Sequence, residues 1–136
     1  MAKKKIATQT LMDEARQLEK ESKNAEALKI YRALTRRKHL NAEAFNRMMI
    51  ILRKQKKYAA EMEVIQRAIA TMEKAIAASQ QIISDRDPEA AALSRQLARS
   101  LGLLDDDGRP IYEEPQLRNW RKREAVVEKR LTNQKK

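Results

Sequence analysis

A chain of 136 residues with a net charge of +11 has the length of one folded domain, and it contains no cysteine for disulfides or thiolate metal sites. Two glycines, three prolines and 4% aromatic residues are too few for a β-sandwich or barrel, whereas residues that favour helices are abundant. We therefore predict an all-α protein, and the lack of cysteine favours the cytoplasm. The longest apolar run, Met48–Leu52, is far short of a membrane span, so no membrane partner is expected.

Two short helices are predicted first, after a basic disordered tail over residues 1–7. The first helix is expected over residues 8–21 and the second over residues 25–38. The last turn of the second helix carries cations, which suit the negative end of a helix: Arg36, Arg37 and Lys38.

A longer helical stretch runs from Asn41, a good capping residue, to Ser84. Its apolar residues alternate steps of four and three, which places them on one stripe of a helix. We call this stripe the seam: Tyr58, Met62, Ile65, Ile69, Met72 and Ile76. We predict a turn at residues 53–57, although that segment contains no Gly, Asn or Pro. The alternative is one unbroken helix over residues 41–84, and self-association through the seam would make a homodimer.

These helices contain an internal repeat. When the sequence is aligned with itself so that Leu11 falls on Phe45, other apolar residues also fall on apolar residues: Ala15 on Met49, Leu18 on Leu52 and Tyr31 on Ile65. This period and the positions over residues 8–76 resemble the tetratricopeptide repeat, whose pattern is W-x2-L-G-x2-Y, then A-x3-F, then P. The resemblance implies two antiparallel helix pairs over residues 8–84, with the last helix extended. Glu61 departs from the pattern because it stands where Ala is expected.

The remaining chain is predicted to form a helical pair over residues 85–132 that caps the array, followed by a basic tail at 133–136. Asp87 is expected to cap the first of these helices, and Pro88 suits its first position. The last helix begins near Pro115 with a single apolar stripe of Leu117, Trp120, Val127 and Leu131. The predicted architecture is an antiparallel array of about six helices with a long central helix.

No catalytic centre is predicted. His39 is the single histidine, so neither a His-pair metal site nor a His-based triad can form. The run from Asp105 to Gly108 fails the spacing of a calcium loop, because Pro110 stands where that loop needs Gly. We therefore expect a protein that is not an enzyme and needs no metal or cofactor.

The positive charge is concentrated at the two ends of the chain. Residues 1–57 hold 16 Lys and Arg against 6 Asp and Glu, residues 58–110 hold 6 against 9, and residues 111–136 hold 8 against 4. Such a distribution attracts acidic partners or nucleic acid.

The tetratricopeptide resemblance implies that the first helix of each pair lines a groove. Its basic and polar positions would be Arg16, Lys20, Asn46, Arg53 and Lys54. The implied function is protein–protein interaction, as an adaptor or assembly factor that binds an acidic protein or peptide in this groove. Nucleic-acid binding through the basic N-terminal half is the alternative, with Trp120 expected to be buried rather than stacked on bases.

Overall fold

The computed structural model describes residues 7–103 and 114–134. Within these ranges the chain forms helices and no strand, so the predicted all-α fold of about six helices is confirmed. The helices are α1 Thr8–Lys20, α2 Asn24–Thr35, α3 Ala42–Lys54, α4 Tyr58–Arg86, α5 Pro88–Ser100 and α6 Pro115–Gln134.

The first four helices repeat with a fixed offset. The shift that places Leu11 on Phe45 in the sequence also places both ends of α1 on those of α3. It places the first residue of α2 on the first residue of α4. The buried side of α3 contains the residues that its spacing predicts, among them Phe45 and Leu52. Asn41 caps α3, because its Oδ1 accepts a hydrogen bond from the amide of Ala44 at 3.0 Å. Capping by Asn41 and apolar spacing therefore account for where α3 begins, whereas α1, α2 and α4 begin without a side-chain cap.

Matching turns end α1 and α3. Ser22 and Lys56, which are related by the same shift, have φ values of 61° and 57°, in the left-handed region. The amide of Lys57 donates to the carbonyl of Leu52 at 3.0 Å, and the first turn repeats this bond. This pattern is the usual way to satisfy the last carbonyls of a helix. The turn at residues 53–57 is therefore present, and residues 41–84 are not one rod.

The helices lie in two layers, with α1, α3 and α6 in one and α2 and α4 in the other. α2 packs against α1 and α3, and α4 packs against α3 and α6. The buried core between the layers includes Tyr31, Phe45 and Ile65, each with no exposed surface. Most charged side chains are left on the outer faces, and Glu61 is the buried exception among the described residues.

The two C-terminal helices pack in different places. α6 covers α3 and α4, with Trp120 2% exposed and its ring 5.9 Å from that of Phe45 in an edge-to-face contact. α5 has no buried residue and packs on the far end of α4, which extends 29 residues. Asp87 caps α5, accepting from the amide of Ala90 at 3.1 Å. The predicted C-terminal pair is therefore divided, with α6 on the array and α5 on its extended arm.

Three helix ends differ from the predicted ones by two or three residues, and one of them is that of α4, which ends at Arg86 instead of Ser84. α2 ends at Thr35, whose hydroxyl donates to the carbonyl of Arg32 at 2.7 Å, so the cations at 36–38 follow the helix. α6 continues to Gln134, into residues predicted to belong to the basic tail. Predictions for residues 1–6, for the calcium-like run at 105–108 and for residues 135–136 lie outside the described residues.

Candidate interaction surface

The predicted groove positions lie along α1 and α3, in the layer that also contains α6. Arg16 on α1 forms an ion pair with Glu43 on α3, and its Nη1 lies 3.9 Å from the carboxylate of Asp13. The ion pair with Glu43 joins the two helices at their polar side, whereas Asp13 lies on α1 itself. The charge of Arg16 is therefore balanced within the chain.

Asn46 joins α3 to α6. Its Oδ1 accepts a hydrogen bond from Nε1 of Trp120 at 2.7 Å, and its Nδ2 donates to Oε1 of Gln116 at 3.1 Å. Trp120 is nearly fully buried, so its N–H needs this acceptor. Asn46 thus has both polar atoms engaged in the packing of α6, a role that the sequence did not indicate.

Arg53 shares a buried carboxylate with a second arginine. Glu61 on α4 is fully buried and receives two hydrogen bonds from Arg123 of α6, at 2.7 and 3.0 Å. The Nε of Arg53 lies 3.6 Å from the same carboxylate, and the side chain of Arg53 is 44% exposed. One carboxylate balances one of the two guanidinium charges. The surplus charge is exposed to solvent at Arg53.

Lys20 and Lys54 occupy equivalent places, as the last residues of α1 and α3. Both side chains are exposed, and within residues 7–103 and 114–134 neither forms an ion pair or a side-chain hydrogen bond. Lys54 is close enough to Glu19 that its charge helps to lower the pKa of that carboxyl. Together with Arg53, the two lysines form a basic corner, the name used below for Lys20, Arg53 and Lys54.

A polar network between α1, α2 and α3 was not predicted. The carboxylate of Glu19 accepts from Arg47 at 2.7 and 3.1 Å and from the hydroxyl of Tyr31 at 2.5 Å. Burial raises the pKa of Glu19, but the hydrogen bonds from Arg47 and Tyr31 outweigh burial and hold it below its usual 4.5. Burial and the adjacent carboxylate of Glu19 raise the pKa of Tyr31 above its usual range. Glu19 and Arg47 therefore tie α1 to α3 and do not add net charge to this surface.

The seam predicted for self-association packs within the chain. Ile65 has no exposed surface and Met72 is 8% exposed, while the other four seam residues are partly buried against the same core. α6 lies along the seam, and the guanidinium of Arg130 sits over the ring of Tyr58 at 5.3 Å. The large exposed apolar side chains lie elsewhere: Ile82, Ile83, Leu93, Leu97, Leu101, Leu103 and Val126. A homodimer through the seam stays a prediction.

The function of this surface is not indicated by a metal site among the described residues or by similarity to a known family. Among the described residues, no three His, Asp or Glu side chains are grouped so that they could hold a metal ion. None of the helices in the described ranges has the length and apolar character needed to cross a bilayer. Comparison of the chain with protein-family models, curated protein sequences and solved structures finds no match.

Proposed function

We propose that this protein is a non-catalytic interaction module that binds an acidic segment of a partner protein along the face formed by α1, α3 and α6. The observation that carries the proposal is the basic corner. Lys20, Arg53 and Lys54 leave exposed positive charge on neighbouring helix ends, whereas Arg16 and Arg47 of the same two helices are paired with Glu43 and Glu19. Exposed cations attract carboxylates and speed association.

The proposal includes a tetratricopeptide-like arrangement of the first four helices. The common offset of the helix boundaries and of the left-handed turns at Ser22 and Lys56 supports it. Two such pairs leave an open side, which needs a cover before the array is stable. α6 supplies that cover, since Leu117, Trp120 and Val127 are buried against α3 and α4. We place this activity in the cytoplasm, because the chain has no cysteine that would require an oxidising compartment.

Peptide binding tests the proposal directly. A set of fluorescein-labelled 12-residue peptides rich in Asp and Glu is titrated with the wild-type chain and with the Lys20→Gln/Lys54→Gln variant, and fluorescence anisotropy is measured. We expect at least one peptide to bind, and its affinity to fall by about tenfold or more in the variant, since hydrogen bonds to charged groups contribute roughly 1.5–3 kcal/mol.

The matched control is Arg32→Gln/Arg36→Gln, which removes the same charge from exposed positions in and just after α2. It should leave affinity for the peptide nearly unchanged. Equal losses in the two variants, or no peptide bound by the wild type, would contradict a site at the basic corner.

Nucleic-acid binding is the competing proposal, supported by the net charge of +11. Trp120 is buried and the ring of Tyr58 is covered by Arg130, so neither aromatic is offered for base stacking. A 20-nucleotide single-stranded RNA measured at 50 and 200 mM salt separates the two proposals. Tight binding of the RNA that weakens steeply with salt would favour phosphate-backbone recognition over the acidic peptide.

A further inference from the structure

The opposite layer of the molecule carries a cluster of arginines that the proposed function does not use. Arg67 on α4 donates a hydrogen bond through Nη2 to Oγ1 of Thr35 at 2.5 Å, in the last turn of α2. Arg36 follows Thr35 directly, and Arg32 lies one helical turn earlier on the same side of α2. The three arginines thus lie where the end of α2 meets α4, close enough for the charges of Arg32 and Arg36 to act on Arg67.

Arg67 is held in one orientation. Its guanidinium carbon lies 5.6 Å from the centroid of the Phe45 ring, a distance at which a cation is attracted to an aromatic face. The hydroxyl of Thr35 accepts from Arg67 and donates to the carbonyl of Arg32 at 2.7 Å, so that hydroxyl is itself fixed. A preorganised guanidinium loses little freedom when it binds a ligand.

The positive charge of the cluster is only partly compensated, by the carboxylate of Glu63. Partial burial lowers the pKa of Arg67, the charges of Arg36 and Arg32 lower it further, and Glu63 opposes them. Across the described parts of the chain, the side chains of Arg32 and Arg36 form no ion pair and no hydrogen bond. An anion placed among the three arginines would remove their mutual repulsion.

We propose that Arg32, Arg36 and Arg67 form a binding site for a phosphate monoester carried on the side chain of a partner protein. A phosphomonoester brings a charge of about −1.5 to −2 and three acceptor oxygens, which suits three neighbouring guanidinium groups better than one carboxylate does. A nucleic-acid backbone would instead need cations spaced along its track, and Glu63 lies one turn before Arg67 on α4. The site lies in the layer opposite the basic corner and does not depend on the proposed function.

The experiment titrates the full chain with a 12-residue phosphoserine peptide, its unphosphorylated form and its Ser→Glu form, and measures binding by calorimetry. Inorganic phosphate and a 20-nucleotide single-stranded RNA are titrated in parallel. We expect the phosphopeptide to bind at least about tenfold more tightly than either peptide counterpart, because two or more charge-assisted hydrogen bonds are at stake.

Variants locate the site. Arg32→Gln/Arg36→Gln should weaken binding of the phosphopeptide by about tenfold or more, while Lys20→Gln/Lys54→Gln, with the same loss of charge, should leave it within about twofold. Arg67→Lys keeps the charge but loses the fork, and it should also weaken binding while the far-ultraviolet circular dichroism stays helical.

Four results would overturn the proposal: equal losses in the two double variants, an unphosphorylated or glutamate peptide that binds as well, inorganic phosphate that binds as tightly as the peptide, or RNA that binds more tightly. The last result would indicate that the three arginines bind nucleic acid instead. Loss of acidic-peptide binding at the basic corner leaves this proposal untouched, because the two double variants report on the two sites separately.

Discussion

Arg123 of α6 donates two hydrogen bonds to the carboxylate of Glu61 on α4, at 2.7 and 3.0 Å. Glu61 has no exposed surface, and it occupies the position equivalent to Ala27 in the preceding helix pair. A buried carboxylate is strongly destabilising unless a cation compensates it. The stability of the helix pair α3–α4 therefore depends on the packing of α6, which supplies Arg123.

Removing Arg123 should strongly destabilise the fold. We expect Arg123→Met to lower the free energy of unfolding by about 3–5 kcal/mol, because Glu61 is left buried with an exposed Arg53 as its remaining partner. Urea unfolding followed by circular dichroism measures the change. Arg121→Met is the control on the same helix: its ion pair with Glu73 is half-exposed and should contribute within about 1 kcal/mol. Similar losses in both variants would contradict the importance of the buried pair.

The pH dependence of stability should reflect Tyr31 and Glu19. A raised pKa for Tyr31 in the folded state means that its contribution is complete below its unfolded value of 10.0 and is lost as the pH rises above that value. The lowered pKa of Glu19 acts in the other direction, since its contribution is present above 4.5 and is lost as the pH falls through the folded pKa. Urea unfolding at pH 8 and pH 11 should therefore show a smaller decrease for Tyr31→Phe than for the wild type. An identical decrease would show that Tyr31 does not titrate as the structure implies.

Relief of the left-handed turn after α3 should stabilise the protein. Lys56 has φ of 57°, a conformation that is unfavourable for a residue with a Cβ and free of that penalty for glycine. We expect Lys56→Gly to raise the free energy of unfolding by about 0.5–1 kcal/mol. Lys57→Gly, at the adjacent residue with φ of −90°, removes the same charge without relieving strain, and it should not stabilise. Thermal unfolding distinguishes the two variants.

Truncation of apolar residues should affect stability differently in the seam and in α5. Ile65→Ala should lower the free energy of unfolding by about 2–5 kcal/mol, because Ile65 is fully buried within the chain. Leu97→Ala on α5 should change it by less than about 0.5 kcal/mol, since Leu97 is 61% exposed. Sedimentation velocity on both variants gives the oligomeric state. A seam that joins two copies would instead give an Ile65→Ala variant that stays folded and sediments as a smaller species.

Asn46 should act through α6 rather than through a ligand. Asn46→Ala leaves the N–H of buried Trp120 without its acceptor, and we expect it to lower the free energy of unfolding by about 1–3 kcal/mol. The exposed Asn119, adjacent to Trp120 on α6, provides the control Asn119→Ala, with a change below about 0.5 kcal/mol. Affinity of the folded Asn46 variant for an acidic peptide should be unchanged. A weaker peptide complex with unchanged stability would return Asn46 to the binding surface.

The starts of α3 and α5 could be predicted from the sequence because the signals that set them are local. Asn41 and Asp87 accept hydrogen bonds from amides three residues onward, so their role is readable from the chain alone. The compensation of Glu61 is not readable in this way, because its partner Arg123 is 62 residues away. The departure of Glu61 from the expected Ala was visible as an anomaly, and the structure supplies its reason.

The predicted groove residues show the same difference between what local sequence determines and what long-range packing determines. Lys20 and Lys54 lie on exposed helix ends, and their part in a groove stays a prediction. Arg16 and Asn46 share that spacing, but long-range neighbours engage them, with Glu43 facing Arg16 and Trp120 facing Asn46. Helical periodicity gives the direction of a side chain, whereas the charges opposite it depend on tertiary packing.

The separation of Glu61 and Arg123 along the chain has a consequence for the protein during its synthesis. At roughly 5–20 residues per second, a ribosome adds Arg123 about 3–12 s after Glu61, since the two residues are 62 apart. In the later part of this interval, once α4 is complete at Arg86, the growing chain has α1 to α4 without α6, and the carboxylate of Glu61 has Arg53 but not yet Arg123 beside it. The nascent protein therefore presents, for a short time, the apolar side of α3 and α4 that the finished molecule conceals.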